Sequence, residues 1–333
     1  MKAMVVRQAP DGPTIEPAEL DEPRPGPGQV LVQVHSASVN RADLAVVTGA
    51  HSTAGAGPGP TVLGLDAAGV VLEAGPGTDL LVGQRVMTMA AGGLAERVVV
   101  DGRLPVPLPD GWSFDEGAAA VLALMTAHNA LATAGRMQPG ESVLVNAASS
   151  GVGQMALQVA RSLGAGRLLA AVRTRRDDRL LRELGADEVI DTADGTFADQ
   201  VLAATSGRGV DVVVDHVGGP YLAQHLQSCA VKGRVVGVGR LGGPHGQLDL
   251  EQLALKRLEL VGVTFRTRDP DEKAALVRDL RRDVDHELGA GRLKPRIDQV
   301  LAWTDVLTAH ARVRADAHLG KVVLRVRPAP DDV

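Results

Sequence analysis

Aromatic side chains are scarce in this chain: three Phe, two Trp and one Tyr among 333 residues. The core must then be built from Ala, Val and Leu. Readers of nucleic acid that stack bases are disfavoured, because they need aromatic platforms. Cysteine is scarcer still, and the one thiol, Cys229, permits neither an intrachain disulfide nor a cysteine-rich zinc site. There is no excess of positive charge. Lys and Arg number 35 against 40 Asp and Glu, a net charge of −5 with a pI near 6.0. Phosphate backbones and anionic lipid are therefore poor partners. The apolar run Ala118–Met125 falls far short of the roughly 20 residues that a membrane span requires. The first residues, Met1–Val6, carry no long secretory apolar region. These absences predict a cytoplasmic protein in a reducing compartment, with no nucleic-acid and no membrane partner.

What is present is ordinary for a globular chain: 45% apolar and 23% charged residues, which excludes a disordered or fibrous protein. The length suits two domains or one large α/β unit. The first third is β-rich, with Val-rich runs at Lys2–Val6, Gln29–Ser36, Gly69–Ala74, Gln84–Thr88 and Ala95–Val100 between Gly/Pro turns. That spacing predicts a small barrel or sandwich. From Ala118 the pattern changes to alternation. A helix over Ala118–Ala134 is followed by strand Ser142–Ala147, helix Val152–Leu163 and strand Leu168–Val172. Helix Asp178–Leu184, strand Val189–Asp191, helix Phe197–Thr205 and strand Asp211–Asp215 come next, then helix Tyr221–Cys229 and strands Arg234–Val238 and Leu258–Phe265. Alternating strands and helices predict a doubly wound parallel sheet. Helices Pro270–Gly289 and Thr304–Ala315 and strand Lys321–Val326 close the chain.

The most informative local stretch runs from Ser142 to Gly153: a buried strand, a turn of small residues, then a helix. A helix N-terminus with close backbone approach suits a pyrophosphate. Ala148 and Ser150 stand in place of the first two glycines of the dinucleotide fingerprint, and Gly153 keeps the third. Ser150, Gly151, Val152 and Gly153 are therefore candidate cofactor residues; the competing reading is an ordinary α/β turn. About 20 residues further on, an NAD site carries an acidic residue. Here Leu168–Val172 is followed by Arg173, Thr174, Arg175 and Arg176. Forked guanidinium groups bind phosphate, so Arg173, Thr174 and Arg176 predict a 2′-phosphate pocket and NADPH. The alternative is a solvated basic helix start.

Several segments then fall into a known order: Val39–Leu44, Leu63–Val71, Glu116–Val121 with Met125–Ala127, Asn146–Gly153, Asp215–Gly219, Gly233–Gly239 and Gly320–Leu324. Together they resemble the medium-chain dehydrogenase/reductase superfamily over essentially the whole chain, and its zinc-free quinone oxidoreductase branch in particular. The resemblance implies an α/β fold: a GroES-like β-rich catalytic domain (1–117 and 267–333) and a Rossmann NADPH-binding domain (118–266). Asn40–Asp43 stands where zinc members place their first ligand, and Gly64-Leu65-Asp66 replaces their Gly-His-Glu. Without thiolate and imidazole ligands there is no tetrahedral Lewis-acid site, which disfavours alcohol oxidation. The implied reaction is hydride transfer from NADPH to an electrophilic acceptor, either a quinone or an α,β-unsaturated carbonyl.

The resemblance places Asn40 near the nicotinamide ribose with Asp43 close by; the residues alone also read as a helix N-cap with an acidic first turn. Related reductases carry a pocket Tyr where this chain has Gly49-Ala50-His51. His51 is either the acid that protonates an enolate or a solvent-exposed loop residue. Thr126, His216, Gly239, Phe265 and Arg266 are further cofactor candidates by resemblance or by position at a strand end. Each also has a structural or surface reading. Lys321 resembles a common family lysine and reads as structural, and Cys229 reads as a buried helix thiol. The apolar edge strand 258–265 predicts a homodimer. The sequence leaves open a biosynthetic enoyl or enone reductase, a non-catalytic NADPH-binding protein and, with stoichiometric zinc, an alcohol dehydrogenase.

Overall fold

The computed structural model describes residues 1–9, 12–49 and 60–327, with the side chains of residues 8, 9 and 176 outside that description. In chain order, the first part comprises β1 (Lys2–Ala9), β2 (Gly12–Glu19), β3 (Gln29–Val39), α1 (Arg41–Val47), β4 (Thr61–Val62), β5 (Asp66–Ala74), β6 (Arg85–Met89), β7 (Arg97–Asp101) and β8 (Val106–Pro107). Helix α2 (Phe114–His128) continues as a π-helical segment, Asn129–Ala134. Next come β9 (Ser142–Asn146), α3 (Gly151–Ser162), β10 (Arg167–Val172), α4 (Asp178–Glu183), β11 (Glu188–Asp191), α5 (Ala198–Ala204) and β12 (Val210–Asp215). They are followed by α6 (Leu222–Ser228), β13 (Cys229–Gly237), α7 (Leu250–Lys256) and β14 (Glu259–Gly262). The chain ends with α8 (Pro270–Gly289), β15 (Ile297–Ala302), α9 (Val306–Arg314) and β16 (Lys321–Arg325).

These elements form two compact units. The first takes Met1–Leu122, Phe265–Arg281 and Lys294–Val333; the second takes Ala123–Thr264 and Arg282–Leu293. The segment Arg282–Leu293 groups with the second unit, where Asp283 lies 2.9 Å from the His128 ring and Val284, Leu288 and Leu293 are buried.

In the first unit, β2-β1-β4 form one small antiparallel sheet. A seven-stranded sheet runs β15-β16-β3-β5-β6-β8, with β7 also on β3. Its strands alternate inward and outward residues, so Val30, Val32 and Val34 of β3 are fully buried. A second cluster joins Met4, Val39, Val46 and Leu63 to Val306, Ala309 and Val313 of α9. Strands β2, β4, β8 and β15 escaped the sequence reading. β2 carries Pro13, Glu16, Pro17 and Glu19, which leave no apolar alternation, and two-residue strands leave no period to detect.

The second unit is a six-stranded, wholly parallel sheet in the order β11-β10-β9-β12-β13-β14. Both faces are covered, which explains the near-continuous apolar strands. Phe197, 1% exposed, fills the core against Leu144, Leu169, Val213 and Leu226. The predicted strand Leu258–Phe265 is shorter in fact, ending at Gly262. Cys229 is the first residue of β13 rather than a helix residue, and burial pushes its thiol up to about 12. The stretch Phe114–Ala134 does have the length and apolarity of a membrane span, but 78% of its apolar window is buried inside the protein.

A close backbone crossing supports the larger sheet. At the β3–β5 irregularity between Val34 and Ser36, a Cβ on Gly69 would lie 1.8 Å from the Gln33 carbonyl oxygen. Gly69→Ala is expected to lower unfolding free energy by about 1–3 kcal/mol. Gly289→Ala, with nothing within 4 Å of the added carbon, should stay within about 0.5 kcal/mol of the parent. Urea titrations of the three proteins check both.

Candidate functional site

Strand β9 is buried at every residue and delivers the chain into the turn 147–150. The turn is tight: Ala147 adopts φ 50°, and Ser150 N–H donates to the Ala147 carbonyl at 3.0 Å. Ser150 caps α3, its hydroxyl accepting the Gly153 N–H at 3.0 Å. That cap explains why serine replaces the second fingerprint glycine. Gly153 is required as glycine, because a Cβ there would sit 2.4 Å from the Ala147 oxygen. Gly151 and Val152 form the first turn of α3, whose leading amides have no intrahelical partner by construction.

The order of the sheet places this turn at its switch point. From β9 the chain moves outward through β10 and β11, then returns to the other side of β9 and moves outward through β12, β13 and β14. Ligands of open α/β sheets bind in the crevice where strand order reverses, beyond the carboxyl ends of the strands. Here that crevice lies between the ends of β9 and β12. After β12, Asp215 accepts the N–H groups of Val217 at 2.8 Å and Gly218 at 3.0 Å, which folds the next turn. His216 links the ends of β12 and β9, with Nδ1 2.8 Å from the Asn146 carbonyl. The Asn146 amide nitrogen donates to His225 Nε2 at 2.9 Å, and the Asn146 side-chain oxygen accepts the Ala147 N–H at 2.7 Å. Burial lowers the pKa of both histidines, so both rings are neutral near pH 7.

Arg173 and Thr174 are exposed just beyond the carboxyl end of β10. Arg175 holds Asp178 at 2.6 Å; the Arg176 side chain lies outside the described residues. Gly239 follows β13, and a Cβ on it would lie 2.4 Å from the His216 carbonyl oxygen. Its glycine is thus required by the close crossing over His216. Thr126 is half-buried on α2, Phe265 is half-buried and Arg266 is exposed in a turn beyond β14. The features that suit a dinucleotide are the α3 N-terminus, the small-residue turn, the Nε2 of His216, which has no partner among the described residues, and the basic residues after β10. His225 and Asn146 were missed by sequence reasoning: one is a helix residue and the other ends an apolar strand, and neither position has a periodic signal.

A second polar cluster is buried in the first unit. Asn40 caps α1, and its N–H donates to Asp43 Oδ2 at 2.7 Å. The Asn40 amide nitrogen donates to Asp66 at 2.7 Å and to the Ser38 carbonyl at 3.2 Å, while its oxygen accepts from Lys321 Nζ at 2.6 Å. Ser38 donates to Asp66 through both N–H and hydroxyl, each at 2.6 Å. Asn40 is therefore nearly spent within its own unit, with one lone pair of Oδ1 remaining. The other oxygen of Asp43 has no hydrogen-bond partner among the described residues. Asp43 lines a cavity of about 10 Å³ together with Leu63, Leu94 and His310. So Asp43 is placed as helix cap and cavity wall, 2% exposed. Burial raises its pKa to about 7, opposed by the Asn40 N–H and reinforced by Asp66. Burial also raises Asp66 and lowers Lys321. His51 lies outside the described residues.

This cluster does not fit a zinc ion. Lys321 Nζ already occupies the Asn40 oxygen, and the Asp66 oxygens are taken by Ser38 and Asn40. No group of three or more His, Cys, Asp or Glu gathers to hold a metal among the described residues.

Residues 26–110 match the family described as alcohol dehydrogenase GroES-like domain, and residues 151–281 match the one described as zinc-binding dehydrogenase. A solved NAD-dependent alcohol dehydrogenase is 31% identical, with 98% of this chain and 100% of that one covered at a TM-score of 0.84. A quinone oxidoreductase from Thermus thermophilus, solved also with NADPH, is 31% identical over 98% of this chain and 100% of that one, TM-score 0.82. Among curated proteins, a mycocerosic acid synthase-like polyketide synthase of Mycobacterium tuberculosis is 40% identical over 207 residues, 62% of this chain. The chain spans about a tenth or less of the length of such relatives.

The Asp43 carboxyl gives a pH signature. Its pKa rises from 3.8 to about 7 on folding, so the folded state holds a proton that the unfolded chain has released between those values. Stability from this group is present at the acid end and is lost as pH rises toward 7. Asp43→Asn keeps a cap oxygen but cannot titrate. Its unfolding free energy is expected to fall less steeply than that of the parent between about pH 4 and pH 7. Urea midpoints across that range measure the difference.

Proposed function

The chain belongs to the medium-chain dehydrogenase/reductase superfamily, and we propose that it transfers a hydride from NADPH to a conjugated carbonyl or quinone without zinc. The observation that carries this reading is the capped small-residue turn at the switch point of the second unit. The nicotinamide of the bound cofactor supplies the hydride. The first turn of α3 receives the pyrophosphate, with the Gly153 crossing keeping helix and strand close. Arg173, Thr174 and Arg176 receive the 2′-phosphate. No carboxylate stands at the end of β10 to prefer a free 2′-hydroxyl.

Hydride addition to the β-carbon of the acceptor pushes electrons onto its carbonyl oxygen, and a proton completes the reduction. His51 or solvent supplies that proton. In this reading Asn40 serves the nicotinamide ribose, and its amide is held in one orientation by Lys321 and Asp66. Lys321 Nζ takes the oxygen that Asn40 could otherwise offer a metal, which supports a zinc-independent reaction.

Among acceptors, an enoyl thioester is favoured by the likeness to polyketide synthases, the chain then acting as a biosynthetic enoyl reductase. The setting that fits is cytoplasmic, with the one cysteine buried as a thiol.

NADPH oxidation screened across enoyl thioesters, enones, quinones and saturated aldehydes tests the reading. Turnover is expected with conjugated acceptors only. Tight NADPH binding without turnover on the whole panel would leave a cofactor-binding protein instead. Replacing Arg173 and Arg176 by Ala is expected to weaken NADPH about tenfold or more and to leave NADH nearly unchanged. An NADPH preference that survives both changes would refute the 2′-phosphate assignment.

A homodimer through β14 belongs to the same proposal. The strand is the edge of its sheet, and Leu260 on it is 43% exposed. Light scattering is expected to give twice the chain mass, and Leu260→Asp to reduce it to one.

A further inference from the structure

The switch-point crevice of the second unit holds a buried polar atom whose hydrogen-bonding character is fixed by its neighbours. His216 Nδ1 lies 2.8 Å from the Asn146 carbonyl oxygen. A carbonyl only accepts, so Nδ1 carries the hydrogen and Nε2 of the neutral ring is left as an acceptor. Burial lowers the His216 pKa, which keeps the second proton off near pH 7. Nε2 is buried and has no partner among the described residues. A buried acceptor without a donor bears its full desolvation cost, which a donor from a bound molecule relieves.

The position of the ring is equally constrained. It sits between the ends of β9 and β12, beside the turn that leads into the twelve-residue helix α3. The carbonyl it binds cannot swing away. The Asn146 amide is held by His225 at 2.9 Å, and its side-chain oxygen pins the Ala147 N–H at 2.7 Å. Gly239 passes over the other side, where a Cβ would collide with the His216 oxygen at 2.4 Å. The two halves of the crevice floor thus ask for opposite things. The α3 N-terminus offers donors and attracts an anion. His216 Nε2 offers a lone pair, which repels a phosphate oxygen and seeks an O–H or N–H.

We propose that His216 is a specificity residue of the dinucleotide site, whose Nε2 accepts a hydrogen bond from a hydroxyl or amino group of the bound nucleotide. Asn146 and His225 act as positioning residues that fix its tautomer and orientation. The proposal rests on the cofactor reading above and adds the kind of ligand group that this side chain selects.

Calorimetric titration of the whole chain with NADPH, with adenosine 2′,5′-bisphosphate and with reduced nicotinamide mononucleotide tests it without recourse to turnover. The two half-molecules separate a donor on the adenosine side from one on the nicotinamide side. His216→Leu is expected to weaken NADPH and one half-molecule by about tenfold, the loss of one hydrogen bond, and to spare the other. His216→Gln, which restores an accepting oxygen, should regain most of that loss. Unchanged dissociation constants in His216→Leu would overturn the proposal while leaving the cofactor reading standing. So would an equal loss for both half-molecules that tracks a lowered melting temperature and is not recovered by Gln. Failure of the unaltered chain to bind any of the three probes would remove the cofactor reading, and this proposal with it.

Discussion

A buried amide must have both of its ends paired, and this requirement organises both units of the protein. In the second unit the amide is Asn146. Its nitrogen donates to His225, its side-chain oxygen starts the turn at Ala147, and its backbone carbonyl takes His216. In the first unit it is Asn40, with its nitrogen on Asp66 and Ser38 and its oxygen on Lys321. Each asparagine ends a strand and begins a turn or helix. Replacing either by an apolar residue would strand several buried partners at once, each at a cost of about 1–3 kcal/mol.

The two clusters solve different electrostatic problems. Around Asn146 the groups are mostly neutral: two histidines that burial keeps unprotonated, set beside Asp215, whose oxygens are satisfied by backbone N–H groups. The result is a rigid floor next to a helix N-terminus, and rigidity is what a dinucleotide site needs if orientation is to contribute to rate. Around Asn40 two carboxyl groups surround one amino group. Burial pushes Asp43 and Asp66 toward the neutral acid and Lys321 toward the neutral amine. The Lys321 nitrogen takes the Asn40 oxygen, and the Asp66 oxygens are taken by Ser38 and Asn40. The superfamily scaffold is thus kept with a lysine at the centre of its buried polar cluster.

Much of the second unit was legible along the chain. Its strands are short apolar runs and its helices have apolar faces, as in α3 with Met155, Ala156, Val159 and Ala160 all buried. Parallel order follows from alternation, and alternation is a property of sequence. The first unit was less legible. β2 mixes Pro, Glu and Thr, and β15 reads Ile-Asp-Gln-Val-Leu-Ala, whose half-buried pattern has no clean period of two. Such strands form because a neighbour offers a hydrogen-bonding edge, and an edge is supplied by the fold.

The same division holds at the site. The turn 147–153 and the glycine at 153 could be found from the chain alone, because each is a local requirement of helix start or close approach. The sequence likewise determined the superfamily, through segments whose order is linear. What it could not hold was partnership across distance. His225 meets Asn146 from 79 positions away and Lys321 meets Asn40 from 281 away. No periodicity records such pairs. Only the tertiary structure decided that Asp43 faces an interior cavity, that the Asn40 amide is nearly spent, and that His216 is left with one buried lone pair. Each outcome depends on which polar groups the folded core can satisfy, and that is settled only when the strands have come together.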